Sequence, residues 1–214
     1  MAYKKILILH ILLLCGLLTC GCDSRYYLFN GKDLAGWTFY PPQSKNIWSV
    51  GNGTLLCTGN PDAYIRTSKQ YSNYHLHLEY RWRGFPSNSG ILLHSAGPDK
   101  LWPDCFELQL RSGDAGDIII HGPATGADAD GKNLATNGNP FLLIPKAMDS
   151  AENPPDQWNG LDIFCKNNSI QVFVNGFLQN SLNDLSRSAG SICLQSQGSA
   201  LEFANIYIVP MSQP

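Results

Sequence analysis

The sequence predicts an all-β sandwich built from short antiparallel strands. Apolar and polar residues alternate over residues 76–82 and again over 105–111, which is typical of strands that bury one face and expose the other. Turn-forming residues separate such patterns about every 8–12 residues, which is the spacing found in sandwich domains. No segment has a sustained helical period, and the pattern allows only a single helical turn, around residues 181–186.

The first strands are predicted between turns that contain Gly, Asn or Pro. Residues 26–37 predict short extended pieces joined by turns. Apolar runs at 47–50 and 54–57 flank Gly51-Asn52-Gly53, which predicts a hairpin. A further strand is predicted over residues 64–67, after a proline-containing turn.

The later strands are predicted in the same way and leave two loops and one long irregular region. These strands cover residues 74–83, 91–94, 105–111, 118–121, 161–166, 170–174, 192–195 and 201–209. The loops cover residues 84–90 and 96–104. The irregular region, 113–139, is rich in Gly, Ala, Asp and Asn around one short strand, and long loops of this kind often carry function.

The size and charge of the chain favour one globular domain that binds small neutral ligands. The chain has 214 residues, of which 43% are hydrophobic, and this is enough for a core of ordinary size. Its 15 basic and 17 acidic residues nearly balance, so no basic stripe is available to hold a phosphate backbone. We therefore expect no nucleic acid partner.

Residues 1–22 have the features of a lipoprotein export signal and are predicted to lie outside the fold. Lys4-Lys5 precedes an apolar run at 6–18, which is too short to span a bilayer comfortably. Gly21-Cys22 ends the segment and resembles a bacterial lipoprotein cleavage site. Cys22 is therefore the predicted lipidated residue.

Two alternatives remain for this N-terminus: lipidation of Cys20, and an ordinary signal that is cleaved elsewhere. On the main prediction, residues 23–214 form a single exported domain in the bacterial cell envelope. Its lipid anchor would be its only contact with the membrane.

Four cysteines follow the predicted signal, and the sequence leaves their state open. Cys57, Cys105, Cys165 and Cys193 are widely spaced, match no zinc ligand pattern and lie in apolar strand-like runs. Disulfides are allowed outside the cytoplasm, so any of three pairings, or buried free thiols, are compatible with the spacing.

No cofactor is predicted. Asp128, Asp130 and Asn133 partly match a calcium-binding loop, but the other ligands of that loop are absent. His94 and His121 end apolar strands, but no close spacing fixes a metal site around them. A divalent metal is compatible with the sequence without being supported by it.

The order of several motifs resembles that of a known domain family. These motifs are LFNGKDLAGW near the start, YRW followed by NSGI, FELQ, QWNGLDIFCKNNSIQVFVNG and SICLQSQGSALEFANIYIVP. Together they are similar to the 3-keto-disaccharide hydrolase domain family, over residues 27–210. The resemblance implies a concanavalin-like jelly roll, frequent export or lipidation, and hydrolysis of glycosides oxidised to a ketone at sugar carbon 3.

The chain departs from the family pattern at three positions. Ser196 and Gln197 stand where members often have an aspartate and a histidine, and Ala204 stands where they often have an arginine. These departures leave open an altered or weakened active site.

In a jelly roll, the polar face of the central strands is expected to line a concave sugar groove, which would bring Glu79 and Arg81 together with Glu107 and Gln109. A 3-keto sugar needs only one base, because the ketone acidifies the proton on carbon 2 and removal of that proton expels the glycosidic oxygen. We predict Glu107 as that base or as the acid. Arg81 and Gln109 are predicted to bind the ketone or hydroxyls, with Asn88 as a ligand from a loop.

Other arrangements of the same residues remain open. Glu79 with Glu107 would make a conventional glycosidase pair if their strands were neighbours. Trp102 is predicted to stack on a sugar ring, and His94 and His121 to contact substrate or shuttle protons. The structural alternatives are cross-strand ion pairs on a solvated sheet face, a packed tryptophan, and strand-end histidines in contact with solvent or backbone.

The function that follows is hydrolysis of 3-keto-glycosides by acid–base chemistry in a sheet groove. The first alternative is a lectin-like surface lipoprotein that binds carbohydrate without turnover. The second is a structural surface lipoprotein whose site has decayed. A lectin would show saturable sugar binding and no product, so turnover separates these classes.

Overall fold

The computed structural model describes residues 24–212, so the predicted export signal, with Cys20 and Cys22, lies outside the described residues. The strands are β1 (Tyr26–Tyr27), β2 (Trp37–Tyr40), β3 (Trp48–Gly51), β4 (Thr54–Cys57), β5 (Ala63–Thr67), β6 (Tyr71–Ser72), β7 (Tyr74–Trp82), β8 (Gly90–Ala96), β9 (Asp104–Gln109), β10 (Ile118–His121), β11 (Thr125–Ala127), β12 (Asn133–Ala135), β13 (Phe141–Ile144), β14 (Asn159–Lys166), β15 (Ser169–Val174), β16 (Phe177–Leu182), β17 (Ala189–Ser196) and β18 (Leu201–Pro210). A 3₁₀ helix, Pro42–Ile47, lies between β2 and β3. Within this part of the chain, no helix is long and apolar enough to cross a membrane.

The strands form two large antiparallel sheets, which confirms the predicted all-β sandwich with jelly-roll architecture. The first sheet has the order β16-β15-β14-β7-β18-β4-β3, with β1 also paired to β18. The second has the order β13-β10-β9-β8-β17-β5-β2, with β6 also paired to β17. Most neighbours are distant in sequence, so the strand order is set by the packing of the whole domain.

One apolar core fills the space between the two sheets. The first sheet contributes Leu76 and Leu78 from β7, and the second contributes Phe106 and Leu108 from β9, all of them buried. Burying one such side chain stabilises the fold by about 1.5–3 kcal/mol relative to leaving it exposed. Because side chains alternate along a strand, the intervening residues point away from the core on the outer face of each sheet.

Two-residue turns close the predicted hairpins. Asn52 and Gly53 join β3 to β4 with φ angles of 53° and 77°, and Asn175 and Gly176 join β15 to β16 with φ angles of 49° and 82°. Positive φ at both central positions suits Asn-Gly, since glycine has no Cβ and asparagine tolerates the left-handed region. The sequence therefore predicts these turns correctly.

The region interpreted as one long loop contains more strand than the sequence indicated. The predicted strand at 118–121 is confirmed as β10, while β11 and β12 pair with each other in a separate sheet. Strand β13, which was not predicted, pairs along β10 and forms the edge of the second sheet. No helical turn forms around 181–186, because β16 continues to Leu182.

The four cysteines after the predicted signal are buried free thiols, which decides between the two alternatives left by their spacing. Burial raises the pKa of Cys165 and of Cys193 to about 12. These two thiols therefore stay protonated at neutral pH and act as small apolar groups in the interior.

Candidate active site

A pocket lies on the outer face of the second sheet. In β9, Phe106 and Leu108 face the core, so Glu107 and Gln109 point to the outer face. The pocket has a volume of about 310 Å³. It is lined by Asn88, Glu107, Gln109, Arg111, Asp117, Ile119, His121, Phe141, Leu143 and Gln197. Four residues predicted for the site, Asn88, Glu107, Gln109 and His121, are therefore brought together.

A buried carboxylate–imidazole pair is the chemical centre of this pocket. His121 lies opposite Cys105 in the register of β9 and β10, which makes it a diagonal neighbour of Glu107. His121 Nε2 is 2.6 Å from Glu107 Oε2, and the two side chains are 7% and 3% exposed. Burying an isolated carboxylate is costly, and an N–H donor from the imidazole offsets that cost. The bond also fixes one carboxylate oxygen and leaves the other to interact with a ligand.

Gly90 in β8 gives the Glu107 carboxyl the space that it occupies. A Cβ built on Gly90 would lie 2.6 Å from Glu107 Oε1 and 2.9 Å from its Cγ, closer than such atoms approach in proteins. Gly90 belongs to the NSGI motif and pairs with Gln109. The glycine therefore leaves room on the β8 side of β9 for the carboxyl group, whose other oxygen bonds to His121 on the β10 side.

Three amide side chains line the pocket, and two of their oxygens are already occupied. Asn88 Nδ2 donates to Gln197 Oε1 at 2.7 Å, which joins the loop before β8 to the residue that follows β17. Gln109 Oε1 accepts the backbone N–H groups of Leu110 at 3.0 Å and Arg111 at 2.9 Å. With their oxygens engaged, Gln109 and Gln197 are left with NH₂ groups that can donate to a ligand.

Apart from Gln197, five lining residues were missed by the sequence analysis as site residues: Arg111, Asp117, Ile119, Phe141 and Leu143. Asp117 anchors the pocket wall, because its Oδ1 accepts the backbone N–H of Lys146 at 2.9 Å. Arg111 pairs with Asp114 at the rim. Phe141 and Leu143 come from β13, and a signal for them existed in the run FLLI, whose apolar residues fit a short strand.

Glu79 and Arg81 do not reach this pocket, so the prediction that they join Glu107 and Gln109 is wrong. They lie in β7 of the first sheet, between β14 and β18. Glu79 accepts a hydrogen bond from Asn205 at 2.9 Å, while Arg81 pairs with Glu202. The alternation that buries the apolar residues of β7 turns these polar groups to the outer face of the opposite sheet, with the core in between.

His94 lies in the core, where it contacts the backbone as one of the structural alternatives allowed, and the prediction that it contacts substrate is wrong. A bulge after Leu93 and a φ of 52° at His94 turn its ring inward, beside Tyr74 and Phe106 at centroid distances of 5.8 and 6.3 Å. Burial lowers the pKa of His94 to about 4. The neutral ring can donate from Nδ1 to the carbonyl oxygen of Arg187, 3.3 Å away.

Trp102 is also outside the pocket. It lies in the loop between β8 and β9, at the Asp104 end of β9, whereas the pocket amides lie at the Gln109 end. Its side chain is 40% exposed. It therefore does not provide the stacking surface that the sequence suggested for the site.

Only one of the three departures from the family pattern bears on the pocket. Gln197 lines it, as described above. Ser196 is buried and donates from Oγ to the carbonyl oxygen of Pro61 at 3.0 Å. Ala204 lies in β18 of the first sheet, opposite Glu79.

A larger cavity, of about 910 Å³, lies between the edge strands of the two sheets. Its walls come mainly from β16 and from residues 144–151, and they are mostly apolar. Among the described residues, the aspartates Asp128, Asp130 and Asp149 line it, but no histidine or glutamate does. The smaller pocket, which contains the Glu107–His121 pair, is therefore the candidate site.

The described residues offer no preformed metal centre. No group of three or more His, Cys, Asp or Glu side chains within 24–212 is arranged to hold an ion. Asp128, part of the calcium-like sequence, instead accepts the backbone N–H groups of Asp130 and Lys132, at 3.1 and 2.9 Å. These bonds close a turn within its own loop.

Comparisons with known proteins agree with this architecture. A family model described as a 3-keto-alpha-glucoside-1,2-lyase-like domain matches residues 26–209. Two proteins from Parabacteroides distasonis, solved as candidate glycosyl hydrolases, share the fold. One is 24% identical, with a TM-score of 0.67 over 88% of this chain and 94% of its own. The other is 22% identical, with a TM-score of 0.64 over 88% and 100%.

The carbohydrate-binding module CBM66 from Bacillus subtilis has a similar fold at 12% identity. Its TM-score is 0.57, over 80% of this chain and 93% of the module. No curated protein matches the sequence. At these identities the solved structures show a common fold.

Proposed function

The chain belongs to the 3-keto-alpha-glucoside-1,2-lyase-like domain family, and from that premise we propose that it is a carbohydrate-active enzyme that cleaves glycosides oxidised to a ketone at sugar carbon 3. The observation that carries this proposal is the buried Glu107–His121 pair in the pocket. A single positioned base is what this reaction requires.

The first step is an elimination that Glu107 begins. The ketone acidifies the C2–H bond, and Glu107 takes this proton. The C2–H electrons first delocalise onto the ketone oxygen. They then form a C1–C2 double bond as the C1–O electrons leave with the glycosidic oxygen, to which Glu107 passes the proton that it has taken. His121 donates to Glu107 Oε2 at 2.6 Å and so directs Oε1 to accept the proton.

The second step returns the base to its starting state. Water adds its hydroxyl to C1, while Glu107 takes the other proton of that water and delivers it to C2. The sum of the two steps is hydrolysis, with no change in oxidation state of the sugar. The same carboxyl group therefore serves as base and then as acid.

The pocket amides suit the negative charge that develops on the ketone oxygen. Gln109 and Gln197 each have an occupied oxygen and an NH₂ group left to donate. Donors placed around a developing oxyanion are among the strongest contributions to catalysis. In this proposal they take the role that the sequence analysis gave partly to Arg81.

A conventional two-carboxylate mechanism has weaker support. Glu79 lies in the opposite sheet, and Gln109 has an amide that neither protonates a leaving group nor attacks a sugar. The other carboxylate of the pocket, Asp117, is engaged with the Lys146 backbone. Glu107 is therefore the principal acid–base group.

The test compares a p-nitrophenyl 3-keto-glucoside with its unoxidised parent glucoside. We expect the purified protein to release p-nitrophenol from the keto compound and to leave the parent intact, because only the ketone acidifies C2–H. Release is followed by absorbance. Equal hydrolysis of both compounds would contradict the elimination and indicate an ordinary glycosidase.

Carbohydrate binding without turnover is the second candidate function. Apart from Glu107 and His121, the lining offers amides and an aromatic ring, which can hold a sugar without reacting with it. In the same experiment, saturable binding of both compounds with no p-nitrophenol release would favour this function.

A further inference from the structure

We propose that Phe141 and Leu143 form the wall on which the apolar face of the sugar ring stacks, with the hydroxyl edge of the ring turned toward Asn88 and Gln197. This inference rests on the proposed carbohydrate function and deepens it by assigning the orientation of the ring. Sequence analysis placed no sugar contact at either residue of β13.

The first observation is that β13 exposes large apolar side chains beside the catalytic pair. Phe141 and Leu143 are 51% and 41% exposed, and both line the pocket. Phe141 in β13 pairs with His121 in the neighbouring β10, with ring centroids 6.3 Å apart, and Leu143 pairs with Ile119. With Ile119 they form a continuous apolar wall, which is informative because neighbouring exposed apolar groups often mark binding sites.

The second observation is the polarity of the opposite side. The order β13-β10-β9-β8-β17 places Glu107, in β9, between β13 and the strands whose ends present Asn88 and Gln197. Those two amides are joined by a 2.7 Å hydrogen bond. The pocket is therefore apolar on one side of Glu107 and polar on the other.

The surface of a pyranose ring is likewise divided into apolar and polar parts, as the pocket is. Its C–H groups form apolar surfaces that pack on aromatic rings, and its hydroxyls lie around the rim, where amides bind them. A ring packed on Phe141 and Leu143 directs its rim toward Asn88 and Gln197. Glu107, which lies between the two walls, then faces a ring C–H bond.

The structure offers a matched control for this wall. Phe177 in β16 is also an exposed phenylalanine, 65% exposed, but it lines the larger cavity away from the Glu107–His121 pair. Replacing either phenylalanine with alanine removes a similar exposed ring. Of these two phenylalanines, only Phe141 belongs to the proposed sugar wall.

We expect Phe141→Ala to raise KM for the p-nitrophenyl 3-keto-glucoside on the order of tenfold, with a much smaller change in kcat, because stacking holds substrate and transition state alike. Phe141→Trp should restore KM to near the wild-type value. Leu143→Ala should have a smaller effect in the same direction, and Phe177→Ala should leave KM unchanged.

A second measurement separates this inference from the proposed function. Calorimetry of the unreactive methyl glucoside measures binding alone, and Phe141→Ala should weaken it on the order of tenfold. Wild-type protein that binds this glucoside more tightly than Phe141→Ala does, but does not cleave the keto compound, would remove the proposed enzyme while leaving the wall supported. Equal affinity and equal KM in wild type and Phe141→Ala would overturn the inference.

Discussion

Replacing Glu107 with glutamine is expected to lower kcat on the 3-keto-glucoside by at least about a hundredfold, since general acid–base groups typically contribute about 10²–10⁴-fold. Glutamine has nearly the same shape, and its oxygen can still accept the His121 Nε2–H bond that measures 2.6 Å in the native pair. It has no carboxylate to take the C2 proton. The melting temperature should change little. Steady-state kinetics therefore measures the loss of kcat, and thermal unfolding checks that the fold is kept.

Glu79→Gln is the matched control for this variant. Glu79 lies on the outer face of the first sheet and bonds to Asn205. Its replacement should leave kcat and KM unchanged, and an exposed hydrogen bond of this kind contributes little to stability. Full activity in Glu107→Gln, or a large loss in Glu79→Gln, would contradict the assignment of the site to the second sheet.

Gly90→Ala is expected to have the second largest effect, a loss of kcat on the order of a hundredfold. The new methyl group would lie 2.6 Å from Glu107 Oε1 and 2.9 Å from Cγ, so the carboxyl group must move. Misplacement of a reacting group by about 1 Å can cost about 10²-fold in rate. Gly90 contacts the Glu107 side chain and acts by positioning its carboxyl group. The measurement is kcat as a function of pH.

Gly160→Ala controls for the general effect of placing alanine at a strand glycine. Gly160 is in β14 of the first sheet, and a Cβ there would come no closer than 4.0 Å to Asn175 Oδ1. A purely structural role for Gly90 would lower the melting temperature and leave kcat and its pH profile unchanged. That result would show that the catalytic position of the Glu107 carboxyl group does not depend on Gly90.

Local patterns predicted the faces of strands well. Phe106, Leu108 and Leu110 mark the buried side of their segment, and this alone turns Glu107 and Gln109 to the outer face. The Asn-Gly turns were predicted equally well, because few residues tolerate positive φ. These features depend on residues close together in sequence.

The neighbours of each strand could not be predicted from such patterns. Glu79 and Glu107 show the same alternation, yet β7 pairs with β14 and β18 while β9 pairs with β8 and β10. This order depends on contacts between residues that are far apart in the chain. Alternation therefore identified two polar faces and could not show that they lie on opposite sides of the core.

The direction of the His94 side chain is a second feature that the sequence did not predict. The apolar run before it suggested a strand end in contact with substrate, solvent or backbone, but a bulge after Leu93 turns the His94 side chain into the core. No residue pattern in this segment predicts that bulge. His121, which ends a similar run, stays on the outer face and meets Glu107 through a pairing between strands.

The most direct test of the elimination is the fate of deuterium at C2. A 3-keto-glucoside labelled with deuterium at C2 is cleaved in ordinary water, and mass spectrometry follows the label in the released sugar against an enzyme-free sample of labelled 3-keto-glucose. We predict that the enzymatic product has lost its C2 deuterium beyond the spontaneous exchange of that sample, because Glu107 passes the deuterium to the leaving oxygen and the new C2 proton comes from water. Release of a sugar that retains its C2 deuterium to the level of the enzyme-free sample would contradict the mechanism.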